Sequence, residues 1–377
     1  MATDGKTGYV SIGNYYEHLI RSGALAPGMR LDTESELAKQ HGVTRTTIRR
    51  AFALLVNKGL VTKTQGRGTF VASAEDVQER LQSPVLIAPY RTISGPAEKD
   101  SIAPQQVRHR FGYLEGIVHA LSAYARPFQI HYIEDDPVEL KRFTEMARRK
   151  AFAGVVAFGI GVERTVSAIA ALGMPAVFMD SVTFDMPVNA VLAADREGTR
   201  EATQYLLTTT GGPLAFVGSP SAMWESGPNH DRLLGFNDAL RDAGQEPPEA
   251  NVHIVEYIDT QSGRAAARWA AGLDPQPKGI VCSTDFLAVG VLDELRNMHV
   301  AVPADISVIG FGNDCTFIAT VPTLSTVAVD RTRMSREAVE LLESRLHKPD
   351  TPPATIHVRT QLLLRQSTLP ILGGAAL

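Results

Sequence analysis

From Val85 onward the chain keeps returning to short apolar runs, at residues 85–88, 128–133, 154–158, 176–179, 214–217, 252–255, 279–282 and 307–311, with helix-length stretches between them. Runs of this length suit strands covered on both faces, and such strands belong to parallel sheets whose crossover helices lie above and below. The repeated strand-and-helix unit predicts an α/β fold with parallel sheets. The stretch spans roughly 290 residues, more than one hydrophobic core comfortably serves, so two lobes are expected. In open sheets of this kind ligands collect at the carboxyl ends of the strands. This reading places the body at residues 84–377, with one lobe over about 84–194 and 314–328 and the other over about 195–313 and 329–370.

Residues 1–71 differ in character. They hold ten Lys and Arg against five Asp and Glu, a charge of +5, so the whole-chain value of −4 leaves −9 for the remainder. Between Leu37 and Ala74 stand seven cations, Lys39, Arg45, Arg49, Arg50, Lys58, Lys63 and Arg67, and no carboxylate. A merely solvated face mixes its signs, whereas a single-sign run of this density fits a surface that meets phosphates. The acidic body would be repelled by DNA, which leaves the head as the contact surface and the body free for another task. Residues 72–83, with Val77 and Leu81 as their large apolar residues and Pro84 behind them, read as a linker.

Within the head, Ile12, Tyr15, Tyr16, Leu19 and Ile20 form the stripe of a first helix that stops before Gly23. Thr33 with Glu36 three residues on makes a capping box for a second helix. After the turn at His41, Gly42 and Val43, Thr44 is placed to cap a third, whose Ile48, Phe52, Leu55 and Val56 face inward. Arg45, Thr46, Arg49 and Arg50 are left on its outer, N-terminal half, as a helix entering the major groove requires. Leu60–Thr64, the turn 65–68 and Thr69–Val71 then describe a two-stranded wing, where Gly66 lets backbone approach a phosphate and Lys63 and Arg67 supply charge.

Other classes find little support. The two cysteines, Cys282 and Cys315, are too few for a disulfide framework and lack a zinc-binding spacing, so both are expected to be core residues. Gly159-Ile160-Gly161 follows a strand, but Arg164 stands where a dinucleotide fingerprint needs its third glycine. Neither a nucleophile elbow, a Walker loop nor a His-Glu-x-x-His helix is found, so no catalytic residue, metal ligand or cofactor is nominated. The N-terminal residues lack an apolar export segment and no run of eighteen apolar residues occurs, which predicts a cytoplasmic protein without a membrane span. The alternatives kept open are a sugar-active α/β enzyme and a stand-alone sugar-binding protein.

Four spaced motifs in the head, G-x-L-x-P-G-x-x-L from Gly23, E-x-E-L-A from Glu34, G-V-T-R-T-T-I-R from Gly42 and G-R-G-T-F-V from Gly66, resemble the winged helix-turn-helix of GntR-type regulators. The resemblance implies that Thr44, Arg45, Thr46, Thr47, Arg49 and Gly66 touch a double-stranded operator. Ser35 stands where many members have arginine. The body is similar to the effector domain of the LacI/GalR family, through Phe178-Met179-Asp180, the run 195–199, Arg232 to Phe236, the run 283–290, the run 302–311 and Val321 to Val327. Residues 90–110 form a longer polar stretch than that family shows, and Gly312-Asn313 replaces its paired aspartates. A GntR-type head on a LacI-type body is the combination of arabinose-repressor-type regulators. It implies a ligand-responsive transcription factor without naming the ligand; a repressor released from its operator by a sugar or sugar-derived effector is expected, and a corepressor would use the same parts with the opposite sign.

Asp285 follows an apolar run directly and precedes a helix, so its carboxylate is expected at a strand's carboxyl end. A carboxylate accepts from hydroxyls and a guanidinium donates to them, so Asp285 and Arg232 together suit neighbouring hydroxyls of a sugar, with Trp224 stacking on the ring. The resemblance assigns the same roles to Asp285 and Arg232. Asp180 and Asp195 are further candidates. Asp285 has a simple helix cap as its lesser alternative, Asp195 reads also as a cap of the following helix or a mark of the lobe crossover, and Arg232 reads as well as a surface ion-pair former. One winged head buries little surface, so a homodimer joined through the bodies is expected.

Overall fold

The computed structural model describes the chain except for residues 1–7, 58, 65–67, 74–81, 92–103, 135, 151, 182–185, 220–226, 315–319 and 372–377. The expectations placed on Lys58, Gly66, Arg67, Trp224, Cys315 and most of the linker lie outside the described residues. Numbering elements in chain order, the head comprises α1 (Tyr9–Arg21), β1 (Arg30–Leu31), α2 (Glu34–His41), α3 (Arg45–Asn57), β2 (Val61–Thr64) and β3 (Gly68–Val71). The strands pair antiparallel in the order β1-β3-β2. Ile12, Tyr16, Leu37, Ile48, Phe52, Leu55 and Val61 close one small core beneath the wing. Each such aliphatic side chain stabilises the head by about 1.5–3 kcal/mol through burial alone.

The body begins with β4 (Val85–Arg91), α4 (Pro104–Ala123), β5 (Phe128–Ile130), β6 (Ile133–Glu134), α5 (Pro137–Arg149), β7 (Val155–Phe158), α6 (Glu163–Ala170), β8 (Ala176–Met179) and β9 (Asn189–Ala193). The chain then crosses into a second lobe with α7 (Asp195–Thr210), β10 (Leu214–Gly218), α8 (Pro228–Asp242), β11 (Val252–Ile254), α9 (Thr260–Ala271), β12 (Gly279–Cys282), α10 (Asp285–Asn297), β13 (Ser307–Gly312) and β14 (Ser325–Ala328). It returns to the first lobe with α11 (Arg331–His347) and β15 (Thr355–Val358), and ends in the second with β16 (Gln361–Leu363).

The first sheet runs β15-β9-β8-β7-β4-β5, with β6 also on β4, and every pair is parallel. Helices α4 and α11 cover one face and α5 and α6 the other, each with its own apolar cluster. The second sheet runs β11-β10-β12-β13-β14-β16, parallel except at the last pair. There α9 and α10 bury one face, and α7 and α8 the other.

This topology corrects the expected lobe boundaries. Residues 325–328 join the second sheet, not the first, because β14 pairs in parallel with β13. Residues 331–347 and 355–358 belong to the first lobe, not the second: Met334, Ala338, Val339, Leu342 and Leu346 fill the cluster beneath α4, and β15 extends the sheet beside β9. The chain therefore passes between lobes three times. At Gly198, in the first turn of α7 just past the first crossing, any side chain would collide with Thr360 of the third crossing and with Val327 of β14.

Candidate functional site

In the head, the local reading of α2 and α3 holds atom by atom. The Thr33 hydroxyl accepts from the Glu36 backbone N–H while Glu36 accepts from that of Thr33 at 2.8 Å, and Gly42 ends α2 with φ 63°. The Thr44 hydroxyl accepts from the Thr47 N–H at 3.2 Å and lies 2.9 Å from the Thr47 hydroxyl, which fixes the first turn of α3. Arg45, Thr46, Arg49 and Arg50 are exposed, whereas Ile48 is sealed in the core. The outer half of the helix is thus a cationic surface held from below by apolar contacts.

One carboxylate, just outside the acid-free stretch from Leu37 to Ala74, stands inside this surface. Glu34, three residues before the cation run, accepts from Arg49 Nη2 at 3.0 Å and from Lys63 Nζ at 2.5 Å. Burial alone would raise its pKa, but the hydrogen bonds and charges of Lys63 and Arg49 outweigh that and hold the carboxyl below its ordinary value. It ties the third helix to the wing. Because Arg49 and Lys63 remain 61% and 55% exposed, each pair stabilises by only a few tenths of a kcal/mol to about 1, and both cations stay within reach of a phosphate.

In the body, Asp180, Asp195 and Asp285 follow the carboxyl ends of β8, β9 and β12. Arg232, in the second turn of α8, reaches the same region: its Nε donates to Asp195 Oδ1 at 2.7 Å, and Nη1 to the Ser283 carbonyl at 2.8 Å and to Asn229 Oδ1 at 3.2 Å. The guanidinium lies 4.0 Å from the centre of the Phe311 ring, a cation–π arrangement. Its 8% exposure excludes a surface ion pair.

Asp285 is 1% exposed. The Thr326 hydroxyl donates to its Oδ1 at 2.6 Å and the Asp314 N–H to its Oδ2 at 2.7 Å. The helix-cap reading of this residue fails, because Thr284 caps α10 by accepting from the Leu287 N–H. The Asp285 carboxylate rests on the backbone of Gly310, where a side chain would displace it.

The cap reading of Asp195 fails too. It is the first residue of α7, with no side-chain cap bond before it, and it sits buried at the first interlobe crossing. Burial pushes its carboxyl up to about 7, Arg232 pulling down and Asp180 adding to the rise. Asp180 holds a left-handed backbone with φ 45°. The structure therefore gathers Asp180, Asp195, Arg232 and Asp285 at the strand ends. Two residues escaped the reading of the sequence: Asp314, and Arg331 at the start of α11, which form an ion pair of 2.6 Å. A groove of about 230 Å³ elsewhere on the body and one of about 320 Å³ between the head and the body, which Lys63 lines, include none of these four aspartates and two arginines. Cys282 is a buried core residue, as expected.

Residues 9–71 match the model for bacterial regulatory proteins of the gntR family, and residues 213–368 match that for the periplasmic binding protein-like domain. The arabinose metabolism transcriptional repressor of Halalkalibacterium halodurans is 25% identical over 96% of this chain and 97% of its own length. That of Geobacillus stearothermophilus is 26% identical over 93% and 95%. Among solved structures, the transcription regulator CcpA of Lactococcus lactis covers 76% of this chain with all of its own, at 20% identity and a TM-score of 0.64. A CelR–cellobiose complex covers 89% of this chain and 100% of its own at 22% identity and a TM-score of 0.63. These relatives and neighbours are regulators rather than enzymes. No helix among the described residues is long and apolar enough to cross a membrane. The chain therefore joins a gntR-family helix-turn-helix head to a periplasmic-binding-protein-like body, an arrangement it shares over nearly its whole length with relatives that are transcriptional repressors.

Proposed function

We propose that this chain is a repressor whose head holds an operator and whose body releases it when a sugar or sugar-derived effector binds between the lobes. The observation that supports this reading is the joint presence of an exposed cationic recognition helix and a buried carboxylate–guanidinium cluster at the strand ends. Thr44, Arg45, Thr46, Arg49 and Arg50 would meet the major groove, with Thr47 bracing the first turn; Lys63 and the wing residues Gly66 and Arg67 would meet the backbone. Asp285 and Arg232 would divide the hydroxyls of the effector between acceptor and donor, with Asp195 and Asp180 beside them and Trp224 on the ring face. Relatives named for arabinose, and a neighbour solved with cellobiose, suggest the first sugars to try.

Asp195, Asp285 and Arg232 are all under 9% exposed, so an effector must part the lobes to reach them. Two heads on a homodimer would turn a change in lobe angle into a change in half-site spacing, with a coupling of about 1–3 kcal/mol. The test pairs a thermal-shift screen of neutral sugars with a gel shift on the chain's own upstream region. A ligand at one hundred times its Kd stabilises by about 2.7 kcal/mol, which is readily seen. A folded protein whose DNA affinity ignores salt, or whose operator complex ignores every stabilising sugar, would defeat the proposal.

A further inference from the structure

We infer that the Asp314 and Arg331 side chains, outside the effector-binding set itself, form a buried link through which occupancy of Asp285 in one lobe is felt by the helices of the other. The inference rests on the proposed effector role of Asp285 and adds a route out of that site.

Each contact along the link is in hand. Asp285, at the start of α10 in the second lobe, accepts from the Asp314 N–H at 2.7 Å. The Asp314 side chain, just past β13 in the same lobe, pairs with Arg331 at 2.6 Å, and the two side chains are only 9% and 13% exposed. Arg331 opens α11 and so belongs to the first lobe, yet its Nη1 also donates to the Gly312 carbonyl of the second at 2.9 Å. Behind it, Arg331 lies 5.6 Å from the Tyr113 ring centre and packs on Gly112 of α4, which has no side chain to obstruct it. Gly312 adopts φ 119°, and a side chain there would strike the Asp314 carboxylate.

The geometry makes the link sensitive to what Asp285 holds. Its two oxygens are already engaged, one by Thr326 and the other by the Asp314 N–H. A hydroxyl that takes the second oxygen competes with Asp314, and Asp314 cannot shift without stretching a buried ion pair across the lobes. Burial makes that pair costly to leave half-made, so displacement on one side is passed on rather than absorbed by water. The first lobe's response falls on α11 and α4, which pack against each other along their length.

The test needs no identified effector. Amide hydrogen exchange is followed on the full-length protein and on Asp285→Asn, Asp314→Asn and the double variant, all confirmed folded by thermal melting. Asp285→Asn keeps the shape but weakens the acceptor for Asp314. Exchange should rise about tenfold in peptides covering 329–334 and 111–116 of the other lobe, with the double variant no faster than Asp314→Asn alone. Exchange changes confined to the second lobe, or additive effects of the two substitutions, would overturn the inference. If Asp314→Asn does not fold, Arg331→Lys, which keeps the charge but loses the two-atom grip on Gly312 and Asp314, replaces it with the same expected pattern. A parallel arm adds L-arabinose and cellobiose in turn. If neither shifts the melting of wild type, the proposed sugars fail while the exchange result still decides the link. If one does, Asp314→Asn should keep its affinity within about threefold and lose most of the sugar's effect on operator binding.

Discussion

Replacing Arg232 by methionine isolates the electrostatics of the effector cluster, because it removes the guanidinium facing Asp195 while keeping apolar cover over Phe311. The lost bonds are one to a carboxylate at 2.7 Å and two to neutral oxygens at 2.8 and 3.2 Å. Removing one member of a buried pair typically costs about 3–5 kcal/mol, since its partner is left charged and without compensation. Part of that cost is avoided if Asp195 takes up a proton. Its carboxyl is already raised to about 7 by burial with Arg232 in place, and losing the arginine raises it further. A carboxyl raised above its unfolded value of about 3.9 contributes stability that is complete below that value and lost as pH rises through the folded one. For wild type that window runs from about pH 4 to 7 and is worth at most about 4 kcal/mol, at 1.36 kcal/mol per unit; for Arg232→Met it extends higher. Urea unfolding at pH 5, 7 and 8.5 on wild type, Arg232→Met, Asp195→Asn and the double variant reads this directly. Arg232→Met should lose more stability at pH 8.5 than at pH 5, and adding Asp195→Asn should restore about 1.5 kcal/mol or more at the higher pH. A single variant that loses under about 1 kcal/mol at every pH, with no coupling to Asp195, would refute the reasoning.

Asp285→Ala should weaken a verified effector roughly ten- to a hundredfold by calorimetry, the loss of a charged hydrogen bond of about 1.5–3 kcal/mol, while operator binding persists. Gly310→Ala should abolish the ligand response in the same assay, because the added methyl takes the place of the Asp285 carboxylate. Arg49→Ala should weaken operator binding and blur its sequence preference, whereas Lys63→Ala should weaken all sequences evenly, as fluorescence anisotropy on matched and mismatched duplexes will show. If a dimer neutralises about six phosphates, log affinity should fall against log salt with a slope near −5; a flat line would contradict the head assignment.

Much of this architecture could be read before any coordinates. The bounds of β8 and β12 coincide with the apolar runs 176–179 and 279–282, since a strand buried on both faces leaves an unbroken signature. Caps at Thr33 and Thr44 were equally legible, because capping depends on residues three positions apart. The late strands were harder. Thr355–Val358 lies at a sheet edge and alternates exposed with covered residues, and Gln361–Leu363 is only three residues long. Which lobe claims β14 or α11 is settled by pairing and packing with residues far away in the chain, and no local pattern records it. Glu34 fell three residues outside the cation run, and Asp314 and Arg331 belong to no motif; each acquires meaning only from a partner on another element.

The triple passage between lobes has a practical consequence for anyone wishing to dissect the receptor. Ending the polypeptide after β14 would strip from the first lobe both α11, which roofs one face of its sheet, and its outermost strand. Neither half can be cut out as a contiguous fragment, so the sensor must be made, inherited and transplanted whole.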